Sequence, residues 1–189
     1  DDEGVSKLAH ITREGTIADV ATDLGGTLVG RPYAGSVGFS LANDGTLAMN
    51  QASPYRPSEL AVTARNEDAT RITDLNGALM EQRTLGQVEA VRYASTEDGR
   101  ELHGWVMTPP NYNPDRTYPL VVEIHGGPIS HYGPHFAPEL QLYAAAGYVV
   151  FYPNARGSTS YGEAFGNLLK NDFSGGEYQD IIDGVDMLI

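Results

Sequence analysis

The chain has 189 residues, of which 41% are hydrophobic and 20% are charged, a composition typical of a folded globular protein rather than a disordered one. Its formal net charge of −13 argues against a nucleic-acid partner, because such binding needs Lys and Arg to neutralise phosphates. It contains no cysteine, which excludes disulfides, thiolate metal sites and a cysteine nucleophile within these residues.

Neither a membrane span nor a signal peptide is predicted. No apolar run approaches the roughly 20 residues that a bilayer-spanning helix needs. The first residues, Asp1 to Gly4, lack the basic and apolar regions of a signal peptide. We therefore expect a soluble protein without a membrane partner, in the cytoplasm or the periplasm, and the sequence leaves its oligomeric state open.

The first part of the chain is predicted to form antiparallel β-strands. Short alternating segments recur about every ten residues, and turn-forming residues separate them. The predicted strands are Thr16–Thr22, Thr27–Tyr33, Ser36–Ala42, Thr46–Ala52, Glu59–Ala64 and Thr70–Leu75. The separating turns are Gly25-Gly26, Asn43-Asp44-Gly45, Pro54–Pro57 and Asn66-Glu67-Asp68. This spacing fits a sandwich, a barrel or propeller blades, and periodicity does not decide among them.

A different pattern begins after Gly77. A hairpin turning at Asp98-Gly99 is followed by a strand, a helix and a second strand of the apolar kind that a parallel sheet buries. These elements are predicted at Val88–Ala94, Glu101–Met107, Leu120–Ile124, Pro138–Ala146 and Tyr148–Tyr152. The order strand, helix, strand predicts an α/β fold.

The last segment is predicted to be an amphipathic helix in which the chain ends. Its apolar face is assigned to Tyr178, Ile181, Ile182, Val185, Leu188 and Ile189. The interspersed Asp180, Asp183 and Asp186 are expected to be solvated or first-turn residues without a catalytic role. Because the chain stops inside this helix, we expect a fragment of a longer protein.

The segment His125-Gly126-Gly127-Pro128 directly follows the predicted apolar strand. Acyl transfer needs backbone N–H groups aimed at the developing oxyanion, and glycines let the main chain approach the substrate. In α/β-hydrolases one such donor comes from the loop after the third strand. This position favours an oxyanion loop over a simple Gly-Pro turn.

Three motifs in order resemble the prolyl oligopeptidase family of serine peptidases, particularly its acylaminoacyl-peptidase and dipeptidyl-peptidase branches. The first is the strand followed by His125–Pro128, the second is the run Gly147–Ser158, and the third is Tyr161-Gly162. Upstream, Ser53–Leu60 and Thr73–Asn76 resemble a final propeller blade. The resemblance implies the last blades of an all-β propeller in residues 1–83 and the first part of an α/β-hydrolase domain in residues 84–189.

The same resemblance implies roles for individual residues. The Gly127 N–H is expected to be the first oxyanion donor, with His125, Gly126 and Pro128 shaping its loop. A second loop is expected on the active-site side of the sheet, where open α/β folds place ligands. Its residues are Asn154, Arg156, Gly157 and Ser158. Arg156 is expected to form an internal ion pair, with a substrate carboxylate as the alternative.

No member of a Ser, His and Asp triad is expected in this chain. The GxSxG pattern that carries the nucleophile is absent, and Ser36 and Ser160 lack its first glycine, so both are interpreted as turn serines. No cofactor is expected. A metal site is not expected either, because the spacing of His125, His131 and His135 matches no standard zinc pattern.

The leading hypothesis is therefore a serine-type peptidase that hydrolyses short peptides through an acyl-enzyme. This activity would belong to the full-length protein, and the fragment alone is expected to be inactive. Two alternatives remain open: a carboxylesterase, since glycine-rich loops also serve ester hydrolysis, and a catalytically inactive, propeller-based interaction protein. The peptidase subtype and its preferred substrate residues stay undecided.

Overall fold

The structure is a computed structural model that describes residues 1–27, 29–64, 68–127, 129–173 and 175–189. Most of the predicted turn Asn66-Glu67-Asp68, together with Pro128 of the predicted oxyanion loop, lies outside the described residues. The strands are β1 (Leu8–Ile11), β2 (Ile17–Ala21), β3 (Phe39–Leu41), β4 (Leu47–Ser53), β5 (Arg56–Thr63), β6 (Thr70–Arg71), β7 (Gln87–Ala94), β8 (Glu101–Thr108), β9 (Leu120–Val122) and β10 (Val149–Asn154). The helices are α1 (Gly77–Met80), α2 (Pro138–Ala145), α3 (Glu163–Gly166) and α4 (Gly176–Leu188), with a 3-10 turn at Asn167–Leu169. Within the described ranges no helix is long and apolar enough to cross a bilayer.

The N-terminal region forms two antiparallel sheets, as its alternating pattern predicts. One is the pair β1 and β2, and the other has the order β3-β4-β5-β6. The turn around Asp44 joins β3 to β4, where Thr46 N–H donates to the Asp44 carboxylate. A separate apolar core consists of Leu24, Leu47, Met49 and Ala61, and Leu8 of β1 and Ala21 of β2 pack against it from the other sheet. The prediction missed β1 and placed the start of β5 too late.

One predicted strand, Thr27–Tyr33, is wrong. Val29 and Gly30 have φ of 49° and 78°, in the left-handed region, which interrupts an extended segment. Pro32 then lacks the N–H that a strand ladder requires. Residues 29–33 instead form a turn followed by an isolated bridge between Tyr33 and Tyr132.

The C-terminal region contains the predicted α/β sheet, with strand order β7-β8-β10-β9. The first three strands pair antiparallel, and β10 pairs parallel with β9, Val150 lying opposite Val121. The strand predicted at Leu120–Ile124 ends two residues earlier, at Val122. The next backbone group still bonds to the sheet, since Glu123 N–H donates to the Phe151 carbonyl.

Alternate residues of β10 supply cores on the two faces of this sheet. Val150 and Tyr152 belong to a cluster that includes Leu140 of α2, whereas Phe151 belongs to a second cluster against which Val185 of α4 packs. A strand directs successive side chains to opposite faces. Helices α2 and α4 therefore cover opposite faces of the sheet.

Helix α4 buries a mixed face rather than the predicted apolar one. Asp180 is completely buried and Asp183 nearly so, whereas Tyr178 is 68% exposed. The expectation of solvated aspartates therefore holds only for Asp186 among the three. Burial alone would raise the pKa of Asp183, but hydrogen bonds from Thr96 and Gln179 hold that pKa below its ordinary value. Periodicity could not reveal Thr96 as a partner because it lies 87 residues away in the sequence, although Gln179 is one helical turn before Asp183.

We predict that Asp180→Asn destabilises the protein far more than Asp186→Asn. The first change removes the buried anionic partner of the Arg156 guanidinium and leaves only the partly exposed Asp98, 3.5 Å away; removing one half of a buried pair costs about 3–5 kcal/mol. The second change affects an exposed carboxylate and should alter the free energy of unfolding by less than about 0.5 kcal/mol. Urea denaturation of both variants measures the difference, and equal effects would contradict the importance of the ion pair.

Candidate active site

The loop that follows β9 lies beside the loop that follows β10. Parallel strands end at the same edge of a sheet, so the parallel pairing of β9 with β10 brings residues 125–127 close to residues 154–158. Both loops contribute to one cavity of about 260 Å³. Its lining includes His125, Gly127, Arg156, Ser158, Phe173 and Ile181. Four of the predicted site residues thus meet at one concave surface.

Gly127 has a backbone conformation that other residues rarely adopt. Its φ is +139°, and a Cβ atom built there would lie 2.7 Å from the Ile129 nitrogen. Gly127 is exposed, and within the described part of the chain no hydrogen bond from its N–H is found. An exposed glycine whose N–H makes no hydrogen bond to the described residues suits the role of an oxyanion donor.

The adjacent Gly126 differs from Gly127 in the hydrogen bonding of its N–H and in the space around its Cβ position. Its N–H donates a hydrogen bond of 3.1 Å to the Tyr33 hydroxyl, and a Cβ atom there would meet no other atom within 4 Å. Of the two glycine N–H groups, the one on Gly126 is therefore already engaged. The sequence offered no signal for this contact because Tyr33 fell within a predicted strand of the N-terminal region.

His125 and Ser158 connect the two loops. Ser158 Oγ donates to the Ala155 carbonyl at 2.6 Å, so it accepts the hydrogen bond that links it to His125 Nε2 at 2.9 Å. Burial lowers the pKa of His125, which favours a neutral ring. A proton on Nε2 suits the bond to Ser158, while Nδ1 lies 3.2 Å from the Gly126 carbonyl. Because Ser158 uses its own proton elsewhere and is 1% exposed, this pair is a cross-link between loops and not an activated nucleophile.

Asn154 fixes the end of β10 from beneath the exposed loops. Its side-chain oxygen accepts from the Tyr132 N–H at 2.8 Å, and its amide nitrogen donates to the Tyr132 carbonyl at 3.0 Å and to the Tyr161 hydroxyl at 2.9 Å. Asn154 is fully buried and does not line the cavity. It therefore positions backbone rather than contacting a ligand.

Arg156 forms the ion pair that the sequence led us to expect. Its Nε and Nη2 donate to the two oxygens of Asp180 at 2.8 and 2.7 Å, and Nη2 also donates to Ser95 at 3.0 Å. The neighbouring Gly157 has φ of +90° and donates its N–H to the Phe165 carbonyl at 3.1 Å. With its guanidinium held by Asp180, Arg156 shapes the cavity wall and is not a free anchor for a substrate carboxylate.

The two serines that superficially resembled nucleophiles instead form hydrogen bonds that hold the local backbone. Ser160 has φ of +81°, and its Oγ accepts a hydrogen bond of 2.7 Å from Gly4 N–H. Ser36 has φ of +52°, and its carbonyl accepts from the Asn50 amide at 2.8 Å. Ser160 lies in a bend and Ser36 in irregular backbone, and neither lies in a strand-to-helix turn of the GxSxG kind.

The three histidines near the loop do not gather around a common point. His125 bonds to Ser158, His131 lies 2.8 Å from the Thr159 hydroxyl through Nδ1, and His135 is buried. In the described part of the chain no three His, Asp or Glu side chains are arranged as a possible metal site.

We predict that stability decreases in acid partly through His131. Burial lowers the pKa of His131 to about 4, whereas a solvated histidine titrates near 6.5. Unfolding between these pH values takes up a proton at this residue, so its contribution to stability is complete above pH ~6.5 and is lost as the pH falls toward 4.

His131→Asn keeps an amide able to bond Thr159 but cannot titrate, so the free energy of unfolding should vary less steeply with pH in this range. His10→Asn provides the matched control, since it makes the same substitution at an exposed position. Urea denaturation at several pH values measures both slopes. A His131→Asn slope equal to that of the unsubstituted protein would contradict the prediction.

Comparison with known sequences relates the chain to peptidases. A sequence profile of the prolyl oligopeptidase family matches residues 134–189. The chain is 34% identical to the uncharacterized peptidase YuxL of Bacillus subtilis over 189 residues, which is 100% of this chain and 27% of that protein. It is 29% identical to dipeptidyl-peptidase 5 of Porphyromonas gingivalis over 78% of this chain and 22% of that protein.

Solved structures also resemble this chain. The acylaminoacyl peptidase of Pyrococcus horikoshii matches with a TM-score of 0.75 at 27% identity, over 93% of this chain and 26% of that one. A puromycin hydrolase with 20% identity and a TM-score of 0.71 shares the fold over 98% of this chain and 28% of its own. The chain spans about a quarter of the length of the relatives that it matches.

Proposed function

The chain belongs to the prolyl oligopeptidase family, and we propose that it forms part of a serine peptidase that hydrolyses short peptides through an acyl-enzyme. The observation that carries this proposal is the exposed residue Gly127, held at φ of +139° in the loop after β9, whose N–H makes no hydrogen bond to the described residues. In this role it donates a hydrogen bond to the carbonyl oxygen as negative charge develops there.

The nucleophile, its base and the orienting carboxylate are proposed to lie in a part of the protein beyond these 189 residues. In α/β-hydrolases the three follow one another in the order Ser, Asp, His, with the serine in a GxSxG turn. No such turn occurs in the sequence, and the hydrogen bonding of Ser158 argues against its use in their place. This chain would then contribute one oxyanion donor and the loops that shape the cavity.

Two domains are proposed, with their boundary between α1 and β7. Residues 1–83 would be the last part of a β-propeller, and residues 84–189 the first part of an α/β-hydrolase domain. The four-stranded antiparallel sheet β3-β4-β5-β6 on one side, and the change to a mixed sheet on the other, support this division. A propeller over the cavity would restrict access to small peptides.

The names of the relatives favour a short peptide as the substrate class. One relative is named a dipeptidyl-peptidase and a structural neighbour an acylaminoacyl peptidase, both names that denote release of a short unit from a peptide. Chromogenic dipeptidyl and N-acetyl-aminoacyl substrates, compared by kcat/KM, would separate these two specificities.

The first test is reaction of the full-length protein with a serine-directed fluorophosphonate, followed by mass spectrometry of the adduct. We expect one labelled serine in a GxSxG sequence outside residues 1–189, because only an activated serine reacts rapidly. No labelling of a folded protein would sink the proposal and favour an inactive interaction protein. Labelling with turnover of esters but not of peptides would favour a carboxylesterase instead.

We predict that Gly127→Ala lowers kcat/KM of the full-length protein by about 10² or more, since loss of one oxyanion donor has effects of that size. The added Cβ would clash with the Ile129 backbone and shift the N–H. Gly147→Ala is the matched control, because Gly147 also has positive φ, at +93°, but follows α2 with no atom within 4 Å of its Cβ position. Similar losses of kcat/KM in both variants would indicate general destabilisation and contradict a specific role.

A further inference from the structure

A short segment of the N-terminal region crosses to the α/β region next to residues 125–127, which are called the glycine loop below. This segment, residues 30–34, is called the strap below. Two backbone hydrogen bonds hold it antiparallel to residues 131–133: Gly133 N–H donates to the Pro32 carbonyl at 2.9 Å, and Ala34 N–H donates to the His131 carbonyl at 3.4 Å. The strap is therefore fixed to the segment that follows the glycine loop in the chain.

Arg31 attaches the strap to two further elements. Its Nε lies 2.9 Å from Glu139 of α2, and its Nη1 lies 3.2 Å from Glu123, which follows β9 directly. The Glu123 side chain is only 12% exposed and also accepts a hydrogen bond from the Tyr132 hydroxyl at 3.1 Å. Because this carboxylate is shielded from water, the ion pair contributes more than a fully exposed one would. It holds the strap at the start of the glycine loop.

Tyr33 places a hydroxyl on the glycine loop itself. Its ring packs against Tyr132 with centroids 5.0 Å apart and meets the edge of His125 at 6.4 Å. With the ring held in this way, its hydroxyl accepts the Gly126 N–H at 3.1 Å. A side chain from the N-terminal region thus hydrogen-bonds the residue immediately before the proposed oxyanion donor.

The geometry points to Tyr33 as a positioning residue for the oxyanion donor, an inference that rests on the proposed function. Gly126 and Gly127 have no side chains with which to anchor their peptide groups, and glycine is the residue with the greatest backbone freedom. Tyr33 fixes the peptide between His125 and Gly126, while the bond from His125 to Ser158 fixes the ring of the preceding residue. The next peptide carries the Gly127 N–H, and its orientation is restricted because the peptide before it is held in place.

Preorganisation is the reason that this contact should affect the reaction rate. A donor held in place before the reaction stabilises the oxyanion without having to reorganise, and the benefit appears in the transition state rather than in the bound substrate. Loss of the Tyr33 hydroxyl should therefore lower kcat and leave KM nearly unchanged. A purely structural contact between the two regions would lower stability without this split.

The test is Tyr33→Phe in the full-length protein, which keeps the ring and removes only the hydroxyl. Tyr55→Phe is the matched control, because the Tyr55 hydroxyl also links the N-terminal region to the α/β backbone, accepting from Val88 N–H at 3.0 Å. Val88 lies on β7, at the opposite edge of the sheet from β9 and the glycine loop. We expect Tyr33→Phe to lower kcat roughly 10-fold, to change KM less than 2-fold and to weaken a peptide aldehyde inhibitor in parallel with kcat. Tyr55→Phe should leave all three unchanged.

Hydrogen–deuterium exchange of the peptide that spans residues 124–130 gives a readout independent of catalysis. Exchange should accelerate in Tyr33→Phe and stay the same in Tyr55→Phe. Unchanged exchange would show that the hydrogen bond to Gly126 is not formed, and faster exchange with an unchanged kcat would show that it does not position the donor; either result overturns the inference. Absence of fluorophosphonate labelling in the unsubstituted protein would instead mark failure of the proposed function itself.

Discussion

Strand β10 is hydrogen-bonded on both sides, antiparallel to β8 and parallel to β9, and the candidate site depends on this pairing. The parallel side makes β9 and β10 end at one edge, so that the loops after them adjoin and share a cavity. The alternation along β10 sends Tyr152 toward α2 and Phe151 toward α4, so the same strand supports both helical layers. A change that displaced β10 would disturb both cores and the site together.

Buried polar groups, in addition to the apolar cores, hold the packed elements together. Arg156, at the end of the second loop, is held by Asp180 of α4 and by Ser95 at the hairpin turn, which joins three elements distant in the sequence. The close approach of α4 requires glycine at two positions, since a Cβ at Gly176 would lie 2.4 Å from the Arg156 guanidinium and one at Gly184 would lie 2.5 Å from the Phe151 ring. The cavity wall that Arg156 forms is thus fixed by helix docking.

The glycine loop combines local freedom with external restraint. Gly127 needs a conformation that a side chain would disfavour, and such a flexible segment has to be held by its neighbours. The restraint comes from both regions of the chain: His125 bonds to Ser158 after β10, and Gly126 bonds to Tyr33 of the strap. Because the strap belongs to the N-terminal region, the geometry of the loop depends on how that region is joined to the α/β sheet.

The sequence by itself determined the α/β order, the hairpins around Asp44 and Asp98, and the place of the glycine loop, because strand alternation, turn chemistry and glycine pairs are local properties. It could not determine that residues 29–33 leave the strand pattern, that Asp180 and Asp183 are buried, or that Ser158 and Tyr33 contact the loop. These features depend on partners 24 to 99 residues away in the chain, which are brought together only when the sheet and its helices pack. Tertiary structure decided them because burial of a charge or a hydroxyl is favourable only where such a partner is already in place.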